Sequence, residues 1–291
     1  MQKRRSDSKP WWNWEINSKQ RFFSLGLRET FYNKGLILRL VRRDLLASYY
    51  QTLIGPFWIF LQPLLTTLVY IVIFDKFAKI RPDDKIPAIL FYLPGSIIWT
   101  FFNDCFTGTM YTFIANAHIF SKVYFPRLVV PLSNTITQSI RLSIQCLLFL
   151  IIYLYYYLRY HNVDPAAVSV LFLLPYTVLL TAGFALGSGL ITSVFVAKYR
   201  DLETFIQFFL RLFMFATPVV YSSNIVPEEY KMLFWLNPLT PVIETFRSTL
   251  LNNDGWATVN HLIIATMEVA VIFVVGLFLF KRREVKVMDT I

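Results

Sequence analysis

Apolar residues in this chain run in long blocks instead of alternating with polar ones. The first block, Gly55–Phe74, is twenty residues without a charge, and a helix needs about 20 apolar residues to cross a hydrocarbon core. Later blocks place further spans, so that the full set is about 55–77, 89–113, 128–157, 168–195, 205–221 and 260–280. Helices satisfy their own backbone hydrogen bonds, as lipid demands. The pattern therefore predicts an all-α integral membrane protein with six transmembrane helices.

Two stretches break the rhythm. Residues 28–54 have the period of a helix but are too charged to span. At 100° per residue Leu38, Val41, Leu45 and Tyr49 form one stripe, with Arg39, Arg42 and Arg43 beside it. Leu46 and Tyr50 intrude on the basic side. Such a helix is expected to lie in the membrane interface, its arginines among anionic headgroups, or else to be a positively charged flank that only fixes topology. Gly55–Pro56 ends it, because proline suits the first turn of a new helix and not the middle of an old one. Residues 1–54 thus form a tail and interfacial amphipathic helix, and 55–291 a transmembrane domain. Within the latter, 222–259 holds Tyr230–Leu236 and Pro241–Leu251, apolar but too short to span, as in re-entrant segments.

Composition agrees with the pattern. Hydrophobic residues make up 56% and charged ones 16%, and the mean hydropathy is +0.50, outside the range of ordinary soluble domains. Six spans and their connections occupy the 291 residues, so no soluble catalytic domain is expected. The charged first fifty residues do not read as a secretory signal. The two cysteines, Cys105 and Cys146, both lie in apolar blocks, so neither a disulfide nor a metal framework is indicated.

A net charge of +10 raises the question of nucleic acid. Its placement answers it. Of 28 Lys and Arg, nineteen fall in segments on one side of the spans (1–54, 114–127, 196–204 and beyond 280) and seven on the other, with Arg141 and Arg211 inside spans. This bias assigns both termini to the cytoplasm. The charge tracks topology, and no nucleic-acid partner is expected.

Asp104, Arg141, Arg211 and Glu268 lie within spans, where a charge costs about 2.5–3.5 kcal/mol on insertion scales and so faces the bundle interior or a partner. Asp104 and Arg141 sit at comparable depths on consecutive spans and can neutralise each other. Alternatively Arg141 or Arg211 meets the phosphates of a substrate, since guanidinium matches phosphate geometry, or Arg211 snorkels to the surface. Tyr153, Tyr155, Tyr156, Tyr157 and Tyr160 gather at one span end. They read either as an interfacial belt or as rings lining a passage over which sugars slide.

The chain has no G-x-x-x-x-G-K-[ST] loop, so ATP, if needed, must be bound by another subunit. It also has no H-E-x-x-H, and its histidines, His118, His161 and His261, are scattered. A membrane enzyme acting on lipid-linked sugar would need a convergent acid, base or metal cluster.

Three stretches together carry a family likeness. The first is Arg43-Asp44-Leu45 with Tyr49-Tyr50-Gln51-Thr52-Leu53-Ile54-Gly55-Pro56-Phe57-Trp58 and Gln62-Pro63. The second is Tyr199-Arg200-Asp201-Leu202, leading on to Thr217-Pro218-Val219-Val220-Tyr221. The third is Asn237-Pro238-Leu239-Thr240-Pro241, followed by Glu244 and Arg247. In order and spacing the chain resembles the permease subunit of bacterial ABC-2 type polysaccharide exporters, the group that handles O-antigen, capsule and teichoic acid.

The resemblance implies the ABC-2 (type V) exporter architecture in the bacterial inner membrane. It implies a homodimer with a cytoplasmic ABC ATPase subunit under each copy, which uses ATP and Mg while this chain binds no cofactor. Its substrate would be a lipid-linked polysaccharide, with membrane lipid as surroundings. A close alternative is an ABC-2 exporter of a small hydrophobic molecule.

The resemblance also implies a coupling helix between spans two and three. Asn116–Arg127 is the material for one, with His118, Ser121, Lys122, Tyr124 and Arg127 as ATPase-contact candidates and Arg200 and Asp201 supporting them; the alternative is a plain surface loop. Arg39, Arg42, Arg43, Tyr49 and Tyr50 are candidates for an interfacial gate helix. Trp58, Phe101, Arg141, Arg211, Phe215 and Tyr221 are channel candidates. Glu244 and Arg247, three apart and able to pair, are assigned to an outer gate or, alternatively, to a plain helix surface.

Overall fold

A computed structural model describes residues 30, 32–50, 52–79, 87–123, 125–160, 167–251 and 259–288. The first helix, α1 (Lys34–Tyr49), packs Ile37 and Val41 against Val129, with Leu45 and Phe125 at the edge of the cluster. Leu38 is 64% exposed. Val41 and Leu45 therefore keep the expected face, while Ile37 takes the place of Leu38 because the packing is set by a protein neighbour. Arg39, Arg42 and Arg43 are exposed.

Tyr50 turns extended, and Gly55 at φ 59° reverses the chain in a conformation that favours glycine. Pro56 opens a tight turn, Gly55–Phe57, that leads into α2 (Trp58–Tyr70). The helix then widens into a π-helical stretch, Ile71–Phe77.

α3 (Ala88–Met110) runs back through the middle of the bundle and is buried along most of its length. Two single turns follow, α4 (Thr112–Ala115) and α5 (Ala117–Phe120). The long helices α6 (Val129–Tyr160) and α7 (Ala167–Lys198) flank α3. After them come α8 (Asp201–Phe215), a short turn at Ser223–Ile225, α9 (Glu228–Trp235), α10 (Leu239–Leu251) and α11 (Val259–Met288).

Among the described residues five helices are long and apolar enough to cross a membrane: Gly55–Phe77, Ala88–Met110, Val129–Arg159, Leu173–Lys198 and Asn260–Glu284. The expected span 205–221 takes a different form. Its helix starts earlier, at Asp201, and stops at Phe215 after 15 residues, a length of about 22 Å against the about 30 Å of a hydrocarbon core. Thr217-Pro218 explains the stop, since proline lacks an N–H and disfavours helix in the residue before it.

The tightest crossing is that of α7 with α11. A side chain on Gly187 would stand 2.7 Å from the Phe273 Cα, and one on Gly276 would strike the Gly187 carbonyl. Gly183 and Gly187 make a small-x-x-x-small stripe of the kind that lets membrane helices touch backbone to backbone. Above this crossing Phe102 of α3 stacks on Phe184 of α7, with centroids 5.2 Å apart. The outward faces of α6 and α11 carry Leu147, Ile151, Leu154, Val271, Val274 and Phe278 in the open, as helices facing lipid must.

Candidate functional sites at the two ends and in the wall

The end of the bundle that carries most Lys and Arg gathers α1, α4, α5 and the corner between α7 and α8. Phe113 and Phe120 are buried there, and Phe113 stacks on Phe280 of α11 at 4.9 Å. Arg127 Nη1 donates to the Glu284 carbonyl, and the guanidinium lies 5.9 Å from the Phe120 ring centre. Arg127 thus faces inward and bolts the short-helix segment to α11. His118, Ser121 and Lys122 stay exposed, as do Arg200 and Asp201 across the corner. Tyr124 lies outside the described residues, as does the side chain of Tyr49.

The two exposed groups are joined by a residue that the sequence reading passed over. Tyr111 Oη donates to Glu203 Oε1 at 2.8 Å, and Gln207 Nε2 donates to the same phenol oxygen at 3.4 Å. Asp201 and Glu203 stand in the first turn of α8, where carboxylates complement the helix dipole. These hydrogen bonds tie the end of α3 to the first turns of α8.

A polar cavity of about 340 Å³ opens in the wall between the end of α1, the start of α2, and α3 and α6. Ser48, Gln62, Thr100, Asp104, Gln138 and Arg141 bring polar atoms to it, and Trp58 and Phe101 bring rings. Arg141 Nη2 donates to Ser48 Oγ at 2.5 Å and Nη1 to Gln138 Oε1 at 3.2 Å. Asp104 and Arg141, expected near one depth, line this same cavity. A signal for it exists in the sequence: Gln138, Arg141 and Gln145 recur at helical spacing within an apolar block, and so do Thr100 and Asp104.

Of the other channel candidates, Arg211 and Phe215 lie on the outward face of α8 with Phe205, Phe208, Phe209 and Leu212, all exposed. Tyr221 donates to the Phe215 carbonyl at 2.8 Å and meets Phe234 edge-on. The six candidates therefore divide between two places, the wall cavity and α8 with the turn that follows it.

At the opposite end α10 is buried among α3, α7 and α11. Its Arg247 is 3% exposed and is ringed by carbonyls. Nε donates to Phe91 O at 3.2 Å, and Nη1 donates to Pro218 O at 2.7 Å and Tyr221 O at 3.1 Å; Nη2 donates to Val219 O. The guanidinium also lies 4.0 Å from the Phe91 ring centre. Glu244 approaches Nη1 at 3.8 Å and accepts the Ser223 N–H at 3.2 Å. The plain surface pair offered as an alternative is thus excluded by burial. Arg247 pins α10 to α3 and to the turn after α8. Gly95 makes room for it, since a Cβ there would stand 2.6 Å from Nη2 and 2.7 Å from Val219 O.

A multi-pass helical bundle with a polar cavity in its wall and exposed charges at one end is consistent with a membrane transport subunit. The chain belongs to the ABC-2 type transporter family, whose description matches residues 35–251. It is similar to an O-antigen export system permease protein RfbA of Klebsiella pneumoniae, 29% identical over 86% of this chain and 94% of that one. A protein of the same name from Myxococcus xanthus is 26% identical over 89% of this chain and 96% of its own length.

Proposed function

We propose that this chain is the permease subunit of an ATP-driven exporter that carries a lipid-linked, O-antigen-like polysaccharide outward across the bacterial inner membrane. The observation that carries the reading is the end-to-end likeness to O-antigen export permeases, which covers 86–89% of the chain. The Lys and Arg bias supports a cytoplasmic location for the basic end and both termini.

Two copies form the working unit. A separate ABC ATPase docks beneath each, on the protrusion bearing His118, Ser121 and Lys122 and on the neighbouring Arg200 and Asp201. That partner binds ATP and Mg, and closure of its subunits pushes on the protrusion. Arg127 and Tyr111 pass the push to α11, α3 and α8. The exposed phenylalanines and Arg211 of α8 face the passage between the copies, where rings offer sugars a surface without tight binding. The plug around α10, Glu244 and Arg247 forms its outer rim.

Deletion in the native bacterium tests this. The expected result is loss of surface polysaccharide with lipid-linked chains retained inside, restored by the plasmid-borne gene. Unchanged surface polysaccharide together with new sensitivity to hydrophobic drugs would overturn it in favour of a small-molecule exporter.

A further inference from the structure

The wall cavity does not stand alone. A second cavity, of about 220 Å³, adjoins it and shares Ser48 and Trp58 with it; its remaining lining is Thr52, Leu53, Ile54 and Gly55. One cavity is lined by amides, hydroxyls, a carboxylate and a guanidinium, and its neighbour mainly by apolar atoms. Adjoining spaces of opposite polarity within a membrane wall match an amphiphile with a polar head and an apolar tail.

The polar lining says more about the head. Arg141 is the cationic side chain of the lining and suits phosphate. Asp104 accepts hydrogen bonds and repels anions, so a bare phosphate gains nothing from it, whereas sugar hydroxyls donate to it. Gln62 and Gln138 both donate and accept, and Trp58, 46% exposed, presents a ring. The 340 Å³ volume is at the lower end of the about 300–1,000 Å³ of small-molecule sites. That is room for one sugar with its phosphate.

Building on the proposed function, we infer that the two cavities form a receiving site for the lipid-proximal end of the substrate. The phosphate sits on Arg141, the first sugar sits against Asp104, Gln138 and Trp58, and the first prenyl units lie along Leu53 and Ile54. The site reads the junction between lipid and sugar and is indifferent to the length of the chain beyond it.

The test uses the full chain in phosphatidylglycerol nanodiscs, titrated with farnesyl diphospho-N-acetylglucosamine and with sugarless farnesyl diphosphate. The sugar-bearing probe should bind at least tenfold more tightly. Arg141→Gln should weaken both probes at least tenfold. Asp104→Asn should weaken the sugar-bearing probe alone and bring the two to parity. Ile151→Ala, on the outward face of α6 and in the lining of neither cavity, should leave binding within twofold.

If Arg141→Gln does not yield folded protein, Arg141→Lys replaces it and should weaken both probes severalfold, since it lacks the planar fork. Equal affinity for the two probes in the unaltered chain, or unaltered binding in the Asp104 and Arg141 variants, overturns the inference. So does displacement of the sugar-bearing probe by equimolar phosphatidylethanolamine, which would make this an ordinary headgroup site. Any of these results in cells that still need the chain for surface polysaccharide leaves the proposed function standing; an intact surface after deletion removes that function itself.

Discussion

At the end near α10 the protein encloses Arg247 completely and spends its donors on the carbonyls of Phe91, Pro218, Val219 and Tyr221. At the basic end His118, Lys122 and Arg200 stand in the open, and the inward contacts are made by neighbours such as Arg127 and Tyr111. A buried charge with fixed partners sets geometry, because separating it from them leaves uncompensated groups in a dry place. Exposed charges contribute little to stability and remain available to another molecule. One end is built to keep its shape; the other leaves its charges in the open, as the proposed ATPase contact requires.

Substitutions can break or sharpen this contrast. The largest effect is expected from Arg247→Ala, which strands its carbonyl partners and Glu244 and should cost about 3–5 kcal/mol. Its readout is loss of the monodisperse peak in detergent or a large fall in melting temperature. Gly276→Leu, aimed at the Gly187 carbonyl, should cost about 1–3 kcal/mol by overpacking, seen as a lower midpoint on heating. Tyr111→Phe removes the bond to Glu203 and should cost about 1 kcal/mol, with export reduced more than thermal stability suggests. Lys122→Glu combined with Arg200→Glu should leave the melting midpoint unchanged within about 0.5 kcal/mol. The same pair should abolish copurification of the ATPase. If that double variant unfolds the chain while Arg247→Ala does not, the contrast between the ends is wrong.

The apolar blocks made most of the helices legible, because each must be long enough to cross lipid. The early stop of α8 was readable in Thr217-Pro218, but the apolar run through Val219 and Val220 outweighed it. In α1 one member of the stripe differed, because Leu38 and Ile37 are equally apolar and only the presence of Val129 chooses between them. The Arg247 cluster could not be read from side chains, since its partners are main-chain oxygens from two distant segments. The wall cavity was half visible, as polar residues at helical spacing in α3 and α6. What sequence could not supply was the arrival of Ser48 from α1.

Gly187 and Gly276 leave no side chain between α7 and α11 at their crossing. Two rods seated so deeply in one another cannot slide without first being pried apart. They therefore act as the chassis of the subunit, and any stroke must be taken by members that merely lean on it. If the subunit moves during transport, the outer layer made by α1, α2 and α8 is where motion is expected, and labels placed there should report movement that labels on the chassis do not.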